Sequence, residues 1–156
     1  LNGKKILVLC DDIGSLSELL RFHGAESYGL EYEEFKVLVA HSGLLAENGK
    51  PQTQVIEGNI ADLFIKDSEL AAKLQALGPF DLIFSDFVFN EGSGIEETME
   101  LRPEAKTELF QENCRKLLTG NGGQLHLAVD ILSAFPKDTL TNISERGTLF
   151  IPNISK

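Results

Sequence analysis

The sequence predicts a three-layer α/β domain: a doubly wound, mainly parallel sheet with helices on both faces. Two observations predict it. Short apolar, β-prone runs alternate with helix-period segments at the spacing of successive βαβ units. Right-handed crossovers then confine such an alternation to a doubly wound topology, here with strand order 3-2-1-4-5 and one further strand at the edge. The 156 residues, 42% of them hydrophobic, are enough for one domain with a proper core.

Each element has its own signal. Residues 4–9 are a short apolar run that reads as a buried strand. Residues 15–22 put Leu16, Leu19 and Leu20 on one helical face, and Gly24 stops the helix. Residues 27–30 form the second strand, ending at Glu31. Residues 33–46 read as a helix with Phe35, Leu38 and Leu45 in phase, closed by the turn Asn48-Gly49. Residues 54–57 are the third strand, 68–77 a helix ended by Gly78-Pro79, and 80–85 the fourth and clearest strand.

Ser93 and Glu96 have the spacing of a capping box before a short acidic helix. Pro103 suits the first position of a helix that turns Leu109, Cys114, Leu117 and Leu118 to the core. After the turn Asn121-Gly122-Gly123, residues 125–129 are the fifth strand. Pro136 starts a last helix, and residues 148–151 are a last strand. The phenylalanines read as core.

The formal net charge is -10, and the basic residues are scattered. Direct nucleic-acid binding is therefore disfavoured, because such binders carry a basic patch that meets the phosphates. No apolar run reaches the ~20 residues of a membrane span. Cys10 and Cys114 lack metal-ligand spacing and read as reduced residues of a cytoplasmic protein, and the histidines form no ligand pattern. The chain begins at Leu1 rather than Met, as expected of a domain excised from a longer chain whose other domains supply a protein partner.

Ligands of doubly wound sheets bind outside the carboxyl ends of the strands, at the switch point. That gathers the turn after Leu9, Glu31, the turn after Glu57 and the segment after Ser85 around one cleft. Glu31 is the foremost candidate. It ends the second strand about 20 residues after the first turn, the place of an acid that accepts hydrogen bonds from ribose hydroxyls. Its plainer reading is a surface acid beside Glu33 and Glu34.

Tyr28-Gly29-Leu30-Glu31, the segment from Glu57 to Leu63, the run from Phe80 to Asp86 and the run from Cys114 to Gly123 occur in a telling order. Together they resemble a class I S-adenosylmethionine-dependent methyltransferase, a likeness that covers almost the whole chain. The resemblance implies S-adenosylmethionine as cofactor. It implies that Glu31 with Tyr32 holds the ribose and that Asn59 and Ile60 hold the adenine. It further places the methionine part on the turn from Cys10 through Asp12 to Gly14, with Ser85 at the cleft. Asp86, after the fourth strand, stands where methyl transfer occurs and is the catalytic candidate. No metal is implied.

The chain departs from the family in its first motif. Val8 stands where the family has an acid, and Cys10 and Asp12 stand at two of three glycine positions, leaving Gly14. Glycine serves there by tolerating positive φ and letting the backbone approach the ligand. Two readings follow: a domain that methylates a small molecule or protein side chain, or a catalytically inactive binding or assembly module. A dinucleotide-binding domain is disfavoured, since Asp11 and Asp12 would repel a pyrophosphate.

Overall fold

The structure, a computed structural model, describes residues 1–44, 49, 54–85, 104–120, 122–127 and 147–150. The strands are β1 (Lys5–Leu9), β2 (Glu26–Glu31), β3 (Val55–Glu57), β4 (Leu82–Ser85), β5 (Gly123–Leu127) and β6 (Gly147–Phe150). The helices are α1 (Ser15–Phe22), α2 (Glu34–His41), α3 (Glu69–Leu77) and α4 (Thr107–Leu117), with a 3-10 turn at Ile60–Phe64. The six strands form one sheet in the order β3-β2-β1-β4-β5-β6. Every neighbouring pair is parallel, including β5 with β6. The predicted fold class and strand order are therefore what the chain adopts.

A parallel strand covered on both faces must be apolar at every position, and β1 shows this. Ile6 and Val8 pack with Ala25, Leu16 and Leu20 under α1. Leu7 and Leu9 point the other way, into the main core. That core gathers Ile60, Leu63 and Phe64 of the 3-10 turn, Leu70 and Leu74 of α3, and Phe110, Cys114 and Leu117 of α4. Phe64 and Phe110 stack with ring centroids 4.5 Å apart and planes at 16°. Buried side chains of this size each contribute about 1.5–3 kcal/mol through burial. The buried amide of Asn113 donates to the carbonyls of Leu63 (2.9 Å) and Ile65 (3.2 Å), tying α4 to the 3-10 turn.

Two elements open on side-chain caps. Ser68 Oγ accepts from the Ala71 N–H at 3.0 Å and caps α3. Asn59 Oδ1 accepts from the Ala61 N–H at 2.9 Å and caps the 3-10 turn.

Several sequence expectations fail on helix phase. Leu19 is 53% exposed, Phe35 75% and Leu38 57%, although the sequence puts Leu19 on one helical face with Leu16 and Leu20, and Phe35 in phase with Leu38. In α2 the inward residues are Val37 and Ala40, which pack on Val55. That helix is short, 34–41, and with apolar residues on several sides its sequence leaves the inward face undetermined. Phe22 is also exposed, at 67%, so two of the phenylalanines lie outside the core.

Pro103 does not open α4, because residues 104–106 are non-helical and the helix starts at Thr107. Strand bounds shift by one or two residues: β4 begins at Leu82, with Phe80 making an isolated bridge to Leu118, and β5 begins at Gly123. The segments expected around Ser93 and Pro136 lie outside the described residues, as do Leu45 and Val129. Among the described residues no helix is long and apolar enough to cross a membrane.

Candidate functional site

Three chain segments meet at the carboxyl edge of the sheet beside β1. The first is the turn from Cys10 to Gly14. Its φ angles are 55° at Cys10, 55° at Asp12 and 82° at Gly14. Left-handed backbone is glycine's ordinary province and costs other residues roughly 1–2 kcal/mol each. The turn thus keeps, at alternate residues, the conformation glycine adopts without cost, although two of the three glycines are absent from the sequence. Cys10 is half-buried against the main core, and Asp12 is exposed.

The second segment follows β2. Glu31 is 3% exposed, and backbone N–H groups on both sides meet its carboxylate. Oε2 accepts from Asp12 at 3.0 Å, and Oε1 accepts from Tyr32 at 2.9 Å and Glu33 at 3.0 Å. A carboxylate has about four lone-pair sites, so roughly one remains for a ligand hydroxyl. Glu31 is therefore a clasp between the β1–α1 and β2–α2 connections, not the surface acid of the plainer reading. Tyr32 is 56% exposed.

The third segment follows β3. The Gly58 N–H donates to the Glu31 carbonyl at 2.9 Å, bringing Asn59 alongside. Asn59 spends its side-chain oxygen on the Ala61 cap, and Ile60, 4% exposed, is packed into the main core. Ser85 ends β4 and is 1% exposed. Asp86 lies outside the described residues.

Two residues that the sequence did not single out for a role complete the arrangement. Lys36, on α2, places its ammonium 3.0 Å from Asp12 Oδ1 and 2.7 Å from Glu33 Oε1. Those contacts, Glu33 first and Asp12 second, raise the proton affinity of Lys36. Its position five residues after Glu31, at the first turn of the next helix, is the only sequence signal for it. Asp11 is the second. It is 5% exposed, its Oδ1 accepts from the Ser17 N–H at 3.1 Å, and its Oδ2 has no hydrogen-bond partner among the described residues.

Burial pushes the Asp11 carboxyl up to about 6, against the lowering effect of Ser17 and Arg21. Burial also pushes the Cys10 thiol up to about 12, with Glu31 adding to the rise and Lys36 opposing it. Cys10 is therefore a neutral thiol at physiological pH, not an activated nucleophile. Among the described residues no group of three His, Cys, Asp or Glu side chains could hold a metal ion.

The edge thus offers a glycine-like turn, a clasped acid and a lysine that neutralises Asp12, which together suit a neutral or zwitterionic ligand better than a phosphate. Neither a protein-family model nor a curated protein matches this chain.

Proposed function

We propose that the chain is an S-adenosylmethionine-dependent methyltransferase-like domain that transfers a methyl group to a small molecule or a protein side chain. The observation that carries this reading is the alternating left-handed backbone at Cys10, Asp12 and Gly14, with the Asp12 amide fastened to Glu31. A chain that had no use for a glycine-type turn would not need two non-glycine residues in a costly conformation.

The cofactor's chemical contribution is an electrophilic methyl group on a sulfonium. The chain's own contribution is placement. Glu31 retains about one accepting site for a ribose hydroxyl, and Tyr32 adds an exposed ring beside it. Lys36 cancels the charge of Asp12, which would otherwise oppose the carboxylate of a methionine part. Asn59, Ile60 and Ser85 are the remaining proposed contacts, and Asp86 the proposed group nearest the acceptor. Methyl transfer needs chiefly alignment of nucleophile and methyl group.

A second reading is supported by the same edge. Glu31 already satisfies three backbone donors, and the Asp11 carboxyl already occupies the start of α1. A self-satisfied cradle suits a catalytically inactive domain that serves as a binding or assembly module.

Calorimetric titration with S-adenosylmethionine and S-adenosylhomocysteine separates the two. Micromolar binding is expected for the methyltransferase. No heat at millimolar ligand would leave the inactive module, and affinity gained by the double replacement Cys10→Gly and Asp12→Gly would place the cause in the turn.

A further inference from the structure

We propose that Asp11 is the positioning residue of this turn: its buried carboxyl bridges the start of α1 to Gly29 of β2 and so holds Cys10 and Asp12 in the left-handed conformation. The inference rests on the cofactor reading only in giving that conformation a use. The Asp11 N–H, its carbonyl and one carboxyl oxygen are each hydrogen-bonded. Its N–H donates to the Leu30 carbonyl at 3.0 Å, and its carbonyl accepts from the Gly14 N–H at 2.9 Å. Its Oδ1 accepts from Ser17 at 3.1 Å. Its Oδ2 lies over Gly29, where an added Cβ would collide with it and stand 2.9 Å from both Cβ and Cγ of Asp11.

A residue pinned between a helix and a strand fixes the peptide planes on both sides of itself. Its neighbours must absorb the mismatch, and Cys10 and Asp12 both do so at φ 55°. Two further facts fit this role. Gly14, at the N-terminus of α1, has no side chain to cap it, and Asp11 supplies the acceptor for the third N–H of the helix. Gly29 and Asp11 are a matched pair, since any side chain at 29 would evict the carboxyl. With Val8 in β1 offering no charge, the anchor comes from inside the turn.

Among the described residues, Arg21 is the charged group that acts on the Asp11 carboxyl. From α1, the Arg21 guanidinium is tied to Glu18 and to the Ser27 carbonyl. Ser27 Oγ, on β2, is buried without a hydrogen-bond partner among the described residues.

The test uses ligand-free protein. Amide exchange of Asp12 reports its bond to Glu31. Asp11→Ala is expected to speed that exchange roughly tenfold or more, the effect of losing a hydrogen bond to a charged acceptor. Gly29→Ala is expected to do the same, and Asp11→Asn to restore slow exchange. Should either variant fail to fold, the wild type and Asp11→Asn decide. The Asp12 amide resonance is expected to titrate together with the Asp11 carboxyl in the wild type and to lose that titration in Asp11→Asn. Slow exchange in Asp11→Ala, or an Asp12 resonance indifferent to Asp11 in the two folded proteins, would overturn the proposal. A wild type that slows Asp12 exchange through Asp11 yet shows no heat with S-adenosylmethionine would remove the methyltransferase reading and leave the positioning role standing.

Discussion

Replacing Asp11 by asparagine should make the protein more stable at neutral pH and less sensitive to pH. The carboxyl is 5% exposed, and burial moves its pKa from 3.8 to about 6. Here the folded state binds the proton more tightly than the unfolded state. Stability is therefore full below about pH 4 and falls as pH rises through about 6. At about 1.4 kcal/mol per pH unit, the gap corresponds to about 3 kcal/mol lost by pH 7. Asparagine keeps the oxygen that caps Ser17 and removes the buried charge.

That gap already includes the lowering effects of Ser17 and Arg21 on the charged carboxyl. The net at pH 7 should be about 3 kcal/mol of stabilisation, or roughly 6–12 °C in Tm for a domain of this size. At pH 3.5 the two proteins should agree within about 1 kcal/mol. Urea unfolding of both proteins between pH 3.5 and 8 measures the difference. Other carboxylates cancel in that difference. Asp81, for example, is held below its usual range first by the Lys5 N–H and then by Lys4, and it gives the opposite slope in both proteins. A variant less stable than the wild type at pH 7, or a difference that does not change between pH 4 and 7, refutes the reasoning.

Phe110→Ala removes a fully buried ring stacked on Phe64 and should cost about 3–5 kcal/mol in urea unfolding. Asn113→Ala deprives two carbonyls of their donor and should cost about 2–3 kcal/mol, with an unchanged m-value if only stability is affected. Cys10, with its thiol at about 12, should carry roughly a thousandfold less thiolate at pH 8 than a cysteine at the ordinary 9.0, and should react more slowly with a disulfide reagent. Fast labelling of a single thiol in the native protein would contradict that placement. The Asp12–Lys36 pair is exposed enough that a double-mutant cycle should give less than about 1 kcal/mol of coupling, weakening with salt.

Much of the fold was legible because its signals are local. The run from Lys5 to Leu9 is apolar at nearly every position, as only a strand covered on both faces needs to be, and it became the centre of the sheet. Gly78-Pro79 marked the end of α3, which closes at Leu77. Helix phase was less legible. In α2, Phe35 and Leu38 are larger and more apolar than Ala40, yet Ala40 faces the sheet because Val37 does. A short helix packed on an edge strand takes its phase from its neighbours, not from its own composition.

The candidate site divides in the same way. Sequence spacing located Glu31 at the end of β2 and the turn at Cys10 to Gly14, because alternation of strand and helix fixes where each strand ends. Which conformation that turn adopts was beyond it. Cysteine and aspartate prefer ordinary backbone, so nothing local predicts φ 55° at either residue. That outcome depends on Asp11 reaching across to β2, on Gly29 leaving room for it, and on Glu31 closing over the Asp12 amide. The sequence by itself determined the strands, their order and the edge at which the candidate site stands, since periodicity and crossover handedness are properties of the chain. Only the tertiary structure decided how that edge is held, since the contacts that hold it, from Asp12 to Glu31 and Lys36 and from Gly58 to Glu31, join separate elements whose meeting is set by the packing of β1, β2 and β3.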